Sequence, residues 1–211
     1  MSDSYELEVE PTSAVDIFGQ GIGQARDYAT NLVLDADLLG LLGPREMPKL
    51  WTRHILNSAV VSELLVPGDS VADVGSGAGL PGIPMAIARP DVQFTLIEPM
   101  ERRAGWLQQQ VIELGLNNVT VVRARAEEVV DSKFTVVTAR AVSALPKLLR
   151  LTVPLLQSGG RVLALKGSKA QDEIEDSRNL IKKLKIRDFE IVFTGVKHLA
   201  EPTLVVITRL V

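Results

Sequence analysis

The fold is decided by the stretch Val71-Ala72-Asp73-Val74-Gly75-Ser76-Gly77-Ala78-Gly79-Leu80-Pro81-Gly82. Its first four residues are a mostly apolar run of the kind that forms a buried strand. The glycines that follow permit positive φ angles and let a ligand approach the backbone closely. The apolar residues 83–88 then predict a helix. A strand that leads through a glycine turn into a helix is typical of open α/β sheets, which bind ligands at the carboxyl ends of their strands.

The chain after this turn continues to alternate between strand and helix. Short apolar runs suited to strands occur at 71–74, 94–97, 119–122, 134–137 and 162–165. Most of the segments between them are about 15–25 residues long, enough for crossover helices. The continuous apolar character of the runs indicates parallel strands buried on both faces. Two last runs have no helical segment between them and predict a terminal antiparallel pair at the sheet edge, residues 189–193 and 204–208. The predicted fold is Rossmann-like: a mostly parallel seven-stranded α/β sheet with this C-terminal pair and extra N-terminal helices.

The first third of the chain predicts helices. Apolar residues recur there at helical spacing until Pro67-Gly68 stops the pattern: Leu50, Trp51, His54, Ile55, Ser58, Val61 and Leu65. A chain of 211 residues is of one-domain size. We therefore expect a single domain over 1–211, in which a helical extension, 1–66, packs on an α/β core, 67–211.

Composition excludes several chemistries. The chain has no cysteine, which excludes disulfides, thiolate nucleophiles and cysteine-bound metals. It has two histidines, which argues against a multi-histidine metal site. No metal is therefore expected. No stretch is long and apolar enough to span a membrane, and the acidic N-terminus is unlike a signal peptide. We expect a cytoplasmic protein.

Charge is distributed unevenly along the chain. The formal net charge is −3, but residues 1–48 hold nine acidic and two basic side chains, whereas residues 123–169 hold nine basic and three acidic ones. Because a nucleic acid responds to a local basic face rather than to the mean charge, the second segment predicts an RNA-binding surface.

The glycine turn is compatible with more than one ligand. Its glycines also fit the G-x-G-x-x-G pattern, so an NAD-dependent oxidoreductase stays open. Asp73 at the end of the first strand is unfavourable beside a pyrophosphate but suits a cationic ligand. Pro81 and Pro84 remove amide donors that a phosphate would use. Glu98 closes the second strand, where a carboxylate can accept both ribose hydroxyls of an adenosine.

A resemblance narrows these alternatives. An Asp-x-Gly-x-Gly-x-Gly turn with an acid closing the next strand is similar to class I S-adenosylmethionine-dependent methyltransferases. Over roughly residues 44–211 the chain also resembles the bacterial small-subunit rRNA guanine-N7 methyltransferase family, once called glucose-inhibited division protein B. The blocks that carry the resemblance are Arg53-His54-Ile55-Leu56-Asn57-Ser58, Asp73–Gly82, Arg125-Ala126-Glu127, Thr138-Ala139-Arg140-Ala141-Val142 and Leu165-Lys166-Gly167. Asn57 departs from the family, in which many members carry Asp.

The resemblance implies a cofactor, a substrate and site residues. The cofactor is S-adenosyl-L-methionine, and the residues expected to hold it are Asp73, Gly75, Gly77, Gly79, Leu80, Glu98, Ala126, Glu127 and Arg140. The substrate is one guanine of 16S rRNA, in a small-subunit ribonucleoprotein context. RNA contacts are expected from Arg123, Arg125, Lys166, Lys169, Arg53 and His54. Arg140 and Lys166 are expected to orient the guanine and its phosphates.

Methylation at guanine N7 is consistent with which residue types the chain has and which it lacks. Without cysteine, the covalent route to pyrimidine C5 is closed. The turn after the fourth strand, 138–141, lacks the Asn/Asp-Pro-Pro-aromatic pattern of amino-methylating enzymes. N7 is an unprotonated lone pair, so no general base is needed, and arginine or lysine matches the N7/O6 edge. A methyltransferase for another RNA or a small molecule, and a non-catalytic nucleoside-binding module, stay open, as does the oligomeric state.

Overall fold

The computed structural model describes residues 7–40, 42–140 and 142–211. Seven strands form one sheet in the order β3-β2-β1-β4-β5-β7-β6. Their bounds are β1 Ser70–Val74, β2 Gln93–Ile97, β3 Val119–Val122, β4 Phe134–Arg140, β5 Leu156–Leu165, β6 Ile186–Thr194 and β7 Thr203–Leu210. Strands β1 to β5 are parallel, and β7 is antiparallel to both β5 and β6. The predicted fold class is confirmed; β7 lies inside the sheet and β6 forms its edge.

Helices connect most of the parallel strands, as predicted. They are α4 Gly82–Ala88 between β1 and β2, α5 Glu101–Glu113 between β2 and β3, and α6 Leu145–Thr152 between β4 and β5. Two more, α7 Ala170–Ser177 and α8 Ile181–Leu184, lie between β5 and β6. The expectation of a crossover helix is wrong between β3 and β4. That connection holds only a single 3₁₀ turn, Ala126–Glu128, because it is too short for a helix with two linkers.

The N-terminal part is helical, with α1 at Ser13–Phe18 and α2 at Ile22–Leu39. A 3₁₀ turn, Pro44–Lys49, leads into a longer helical run that changes its winding. This run, called the 50–64 helix below, consists of a π-helical part Leu50–Leu56, the short α3 Asn57–Ala59 and a 3₁₀ part Val60–Leu64.

These helices share an apolar core with the sheet. Tyr28 and Leu32 of α2 and Trp51 of the 50–64 helix are buried in the same cluster as Phe94 and Leu96 of β2. Polar contacts join the same parts of the chain: the Gln24 side-chain amide donates to the Leu114 carbonyl at 2.7 Å. The second face of the sheet is covered by a separate cluster that includes α6 and α7. No helix in the described ranges is long and apolar enough to cross a membrane.

Candidate active site at the carboxyl edge of the sheet

The glycine turn after β1 is held by the end of β2. The backbone amides of Gly75 and Ser76 donate to the Ile97 carbonyl at 2.9 and 3.2 Å. Gly75, Gly77 and Gly79 all have positive φ, at 70°, 53° and 85°. A Cβ on Gly79 would lie 2.5 Å from the Ile83 side chain, so this position accepts glycine alone, whereas the nearest atom to a Cβ on Gly77 is 3.8 Å away. The turn is packed tightly on its helix side and leaves space around Gly77.

Asp73 is a buried carboxylate that is only half satisfied. It is fully buried at the end of β1, and its Oδ2 accepts the Gly82 amide at 3.1 Å. Its Oδ1 has no hydrogen-bond partner among the residues that the structure describes. Burial raises the pKa of Asp73 to about 7. An unpaired acid of this kind suits a positively charged ligand.

Glu98 forms the opposite wall of the turn. It is buried at the end of β2, its Oε2 accepts the Gly77 amide, and its Oε1 accepts the Met100 amide, both at 2.9 Å. Each carboxylate oxygen has a second lone pair, so this arrangement still permits two ribose hydroxyls to donate to Glu98. The two bonds hold the carboxylate in one orientation, which pre-organises it for a diol.

The segment after β3 lies at the same edge of the sheet. Ala126 is buried and begins the 3₁₀ turn, while Arg123, Arg125 and Glu127 are exposed. Arg123 is paired with Glu101 at 3.1 Å, and the Arg125 backbone amide donates to the Glu128 carboxylate at 2.9 Å. Because the carboxyl ends of neighbouring parallel strands meet at one edge, Ala126 is brought to the same side as Glu98.

Arg140, the last residue of β4, donates almost all of its hydrogen bonds to the 50–64 helix. Its Nη1 donates to the His54 carbonyl at 3.1 Å and to the Ser58 hydroxyl at 3.0 Å. Its Nη2 donates to the Arg53 carbonyl at 3.0 Å and contacts His54 Nδ1 at 2.8 Å. In the described part of the chain, only Nε of this guanidinium lacks a partner.

The partners of His54 determine its tautomer. The residue is buried, with Nδ1 on Arg140 and Nε2 2.7 Å from the Glu46 carboxylate. A guanidinium can only donate, so Nδ1 must accept and the proton must lie on Nε2. Burial and the nearby Arg140 hold the pKa of His54 below its ordinary value, consistent with a neutral ring. Both nitrogens are thus engaged within the protein, and the ring has no free donor for RNA in this arrangement.

Lys166, which follows β5, is also held by protein groups. Its side chain is 9% exposed, and its Nζ lies 2.7 Å from the Ser143 carbonyl and 2.8 Å from Glu173 of α7. Glu173 also accepts the Leu145 amide at the start of α6. Burial acts to raise the pKa of Glu173, but the bonds from Lys166 and Leu145 outweigh it and hold that pKa below its ordinary value. Lys169, three residues on, is exposed.

The basic segment 123–169 does not form one basic face. Arg161 is paired with the buried Asp69 at 2.6 Å, and Lys133 donates to the Pro154 carbonyl. Asp69 and Lys133 precede β1 and β4, so these cations lie towards the amino ends of the strands, away from the glycine turn. The expectation of a segment-wide RNA-binding surface is therefore wrong, because the charges alternate between the two ends of the sheet.

Several residues at the site escaped the sequence patterns. Tyr28 of α2 donates its hydroxyl to the Ala78 carbonyl in the glycine turn at 2.6 Å, and Glu46, Ser58 and Glu173 hold the cations described above. Tyr28 and Ser58 act through contacts between distant parts of the chain. Glu46 and Glu173 lie eight and seven residues from the side chains they hold, and no local motif marks either spacing. A lone tyrosine on the apolar face of a helix gives no signal beyond burial. Residue 141 of the fourth block lies outside the described residues.

The sheet order and the turn define a class of enzyme. Dinucleotide-binding sheets are mostly parallel, whereas here β7 enters antiparallel between β5 and β6. The glycine turn after β1 is flanked by two buried carboxylates, Asp73 and Glu98. These features are those of a class I S-adenosylmethionine-dependent methyltransferase. The fold is similar to that of M. jannaschii TYW2 in complex with AdoMet, with a TM-score of 0.59, 21% identity and 76% of each chain covered.

Sequence comparison identifies the family. The family described as GidB, rRNA small subunit methyltransferase G, matches residues 22–201. The chain is 54% identical to the Ribosomal RNA small subunit methyltransferase G of Leifsonia xyli subsp. xyli over 98% of both chains, and 49% identical to that of Clavibacter sepedonicus over 99% of both. The chain belongs to the rRNA small subunit methyltransferase G family, and its cofactor is S-adenosylmethionine. The NAD-dependent alternative is thereby removed.

Proposed function

We propose that this chain transfers a methyl group from S-adenosylmethionine to N7 of one guanine in 16S rRNA. One observation carries the proposal: the glycine turn with its two carboxylates shares a sheet edge with Arg140 and Lys166. An adenosine site and two cations suited to a guanine edge thus adjoin each other. The names of the relatives support small-subunit rRNA as the substrate.

The cofactor supplies a methyl group on a sulfonium that is its own leaving group. Glu98 would accept the ribose hydroxyls while it holds Gly77, and the orphaned Asp73 Oδ1 would offset positive charge. We propose that the segment at Ala126 and Glu127 borders the adenine. Gly75, Gly79 and Leu80 would shape the backbone that lies against the ligand, because side chains are excluded at Gly79 and crowded by Val142 at Gly75.

The guanine needs orientation and no proton removal. N7 uses its own lone pair, and the methylated ring becomes positively charged, so a cation directly against N7 would oppose the reaction. We propose that the guanine O6 or a phosphate takes the N–H groups still available, the Arg140 Nε and the third N–H of Lys166. Orientation at about 3 Å from the methyl group can supply roughly 7–11 kcal/mol of the barrier.

Exposed cations would receive the surrounding RNA. The expected phosphate contacts are Arg53, whose side chain is 59% exposed, and the exposed residues Arg123, Arg125 and Lys169. His54 would act indirectly, since its ring is bound to Arg140 and Glu46. We infer a ribonucleoprotein substrate and a cytoplasmic location from the nature of small-subunit rRNA. A steep loss of RNA binding with added salt is expected from phosphate contacts.

The test is methyl transfer in vitro. Purified protein is incubated with labelled S-adenosylmethionine and 16S rRNA from a strain lacking this methylation, either naked or in assembled small subunits. The expected result is one methyl group per 16S rRNA, mapped to a guanine by mass spectrometry and by chain cleavage specific for 7-methylguanine. Methylation at another atom, or of small molecules alone, would overturn the proposal. The two substrate forms show whether ribosomal proteins are required.

A further inference from the structure

Helix α2 lies outside the sheet yet reaches the methyl-donor turn. Tyr28 is fully buried, and its hydroxyl donates to the Ala78 carbonyl at 2.6 Å. Burial, with a smaller contribution from Asp73, holds the pKa of Tyr28 well above its ordinary value, so the hydroxyl remains a donor at any working pH. This bond links the helical N-terminal part directly to the backbone of the turn.

The held carbonyl lies between two glycines of the turn. Ala78 lies between Gly77 and Gly79, both with positive φ. Glycine populates many backbone conformations, so a turn with glycines on both sides of Ala78 has little conformational preference of its own. Glu98 fixes the Gly77 amide from one side, and Tyr28 fixes the Ala78 carbonyl from the other.

The position of Tyr28 is itself rigidly determined. Its ring packs against Trp106 of α5 with centroids 6.4 Å apart and planes at 44°. The Trp106 indole donates to Asp35 of α2 at 2.8 Å, and the Asn31 amide donates to Gln110 of α5 at 2.9 Å. Helix α2 is therefore fastened to α5, and the Tyr28 hydroxyl is presented at a fixed point.

We propose that Tyr28 is a positioning residue for the cofactor: it holds the glycine turn in the conformation that binds S-adenosylmethionine. Without the hydroxyl, the turn would populate other conformations, and the apparent affinity would fall by the fraction that remains competent. The loss of one hydrogen bond of ordinary net strength corresponds to a decrease in affinity of about three- to tenfold. The inference rests on the proposed function only for the identity of the ligand.

The experiment compares Tyr28→Phe with a matched control. Thr152→Val also removes a buried hydroxyl that donates to a backbone carbonyl, that of Leu148 at 2.9 Å, but within α6. Binding of S-adenosylhomocysteine is measured by calorimetry, and KM for S-adenosylmethionine and for RNA by methyl transfer. Both variants are also made in a Gly105→Ala background, where the added Cβ meets no atom within 4 Å on an exposed helix position, to protect against loss of folding.

We expect Tyr28→Phe to raise the Kd of S-adenosylhomocysteine and KM for S-adenosylmethionine about three- to tenfold, with kcat and KM for RNA within twofold. Thr152→Val should leave both cofactor constants unchanged at a similar loss of stability. Amides of the turn should exchange faster in Tyr28→Phe, and saturating ligand should restore their protection. Unchanged cofactor constants in a folded Tyr28→Phe variant would overturn the role of Tyr28. Failure of the wild-type protein to bind the ligand would instead overturn the proposed function.

Discussion

At the scale of single residues, two aspartates at opposite ends of β1 show how environment decides the cost of a buried charge. Asp69 is paired with Arg161 and accepts from Thr135, and these bonds outweigh burial and hold its pKa below its ordinary value. Asp73 has no ion pair within the described ranges, and burial raises its pKa to about 7. Asp69 is satisfied by groups of the protein, whereas Oδ1 of Asp73 has no hydrogen-bond partner among the described residues.

Asp73→Asn should stabilise the unliganded protein at high pH. The folded pKa of about 7 exceeds the ordinary value of 3.8, so the folded state binds more protons than the unfolded state between these values. Wild-type stability should therefore fall as pH rises, by roughly 2–3 kcal/mol between pH 5 and pH 8, relative to the Asn variant. Urea unfolding at the two pH values measures this difference. Binding of S-adenosylmethionine should weaken at least tenfold.

Asp69→Asn is the control with the opposite sign. Its lowered folded pKa means that the ionised form stabilises the fold, so this variant should be less stable than the wild type at pH 8. Cofactor binding should be unaffected, because Asp69 precedes β1 and lies far along the strand from the glycine turn. If the free energy of unfolding depended on pH equally in the wild type and in Asp73→Asn, the raised pKa of Asp73 would be contradicted.

Arg140 is held by two main-chain carbonyls and two side chains, and this changes what its removal should do. Arg140→Ala removes one donor from each of the Arg53 carbonyl, the His54 carbonyl and the His54 ring. We expect a loss of about 3 kcal/mol of unfolding free energy together with reduced methyl transfer. Arg140→Lys should recover little of either, because an ammonium cannot reproduce the fork of the guanidinium. Denaturant unfolding and RNA methylation are measured on the same preparations.

A loss of methyl transfer with unchanged stability in Arg140→Ala would contradict this account and favour direct contact with the guanine alone. Arg53→Ala is the comparison, because the Arg53 side chain is exposed and its ion pair with Glu46 is long, at 3.5 Å. Removing it should leave stability within about 0.5 kcal/mol and weaken RNA binding in a salt-dependent manner.

At the scale of elements, the backbone of the 50–64 helix accepts hydrogen bonds from Arg140 at the end of β4. In the π-helical part Leu50–Leu56 the hydrogen bonds run from residue i to i+5, and such segments are often found at functional sites. The His54 carbonyl accepts from both Ser58 Oγ and Arg140, and the Arg53 carbonyl accepts from Arg140. Two carbonyl oxygens of this helix thus accept hydrogen bonds from a side chain at the end of β4.

The same substitution should have opposite effects in the turn and in helix α5. Gly79→Ala places a Cβ 2.5 Å from Ile83 at φ 85° and should cost about 2 kcal/mol or more, with loss of cofactor binding. Gly105→Ala lies in the interior of α5 in open space and should stabilise the protein by about 0.5–1 kcal/mol through helix propensity. Thermal unfolding of both variants tests this. A stabilised Gly79→Ala variant would mean that the turn adopts another conformation.

At the scale of the whole molecule, the N-terminal helices and the α/β core share one apolar cluster, and we propose that they form one cooperative unit. Trp51 lies in the helical extension and Trp106 in the core, and both are buried. In the variant Trp106→Phe the remaining Trp51 reports on the helical extension, and in Trp51→Phe the remaining Trp106 reports on α5 at its contact with α2. We expect the two fluorescence transitions in urea to coincide with the loss of helical circular dichroism. Separate midpoints would show that residues 1–66 unfold independently.

The strands of the sheet, the glycine turn and the two acids that flank it could be predicted from the sequence alone. These features depend on local causes: apolar runs specify strands, glycines specify positive φ, and parallel strands bring Asp73 and Glu98 to one edge. The hydrogen-bond partners of the polar side chains could be identified in the tertiary structure but not predicted from the sequence. Tyr28 meets Ala78 across 50 positions, and Arg140 meets His54 across 86. The partner of a hydrogen-bond donor depends on which helices and strands pack together, and the local sequence around the donor does not specify that packing.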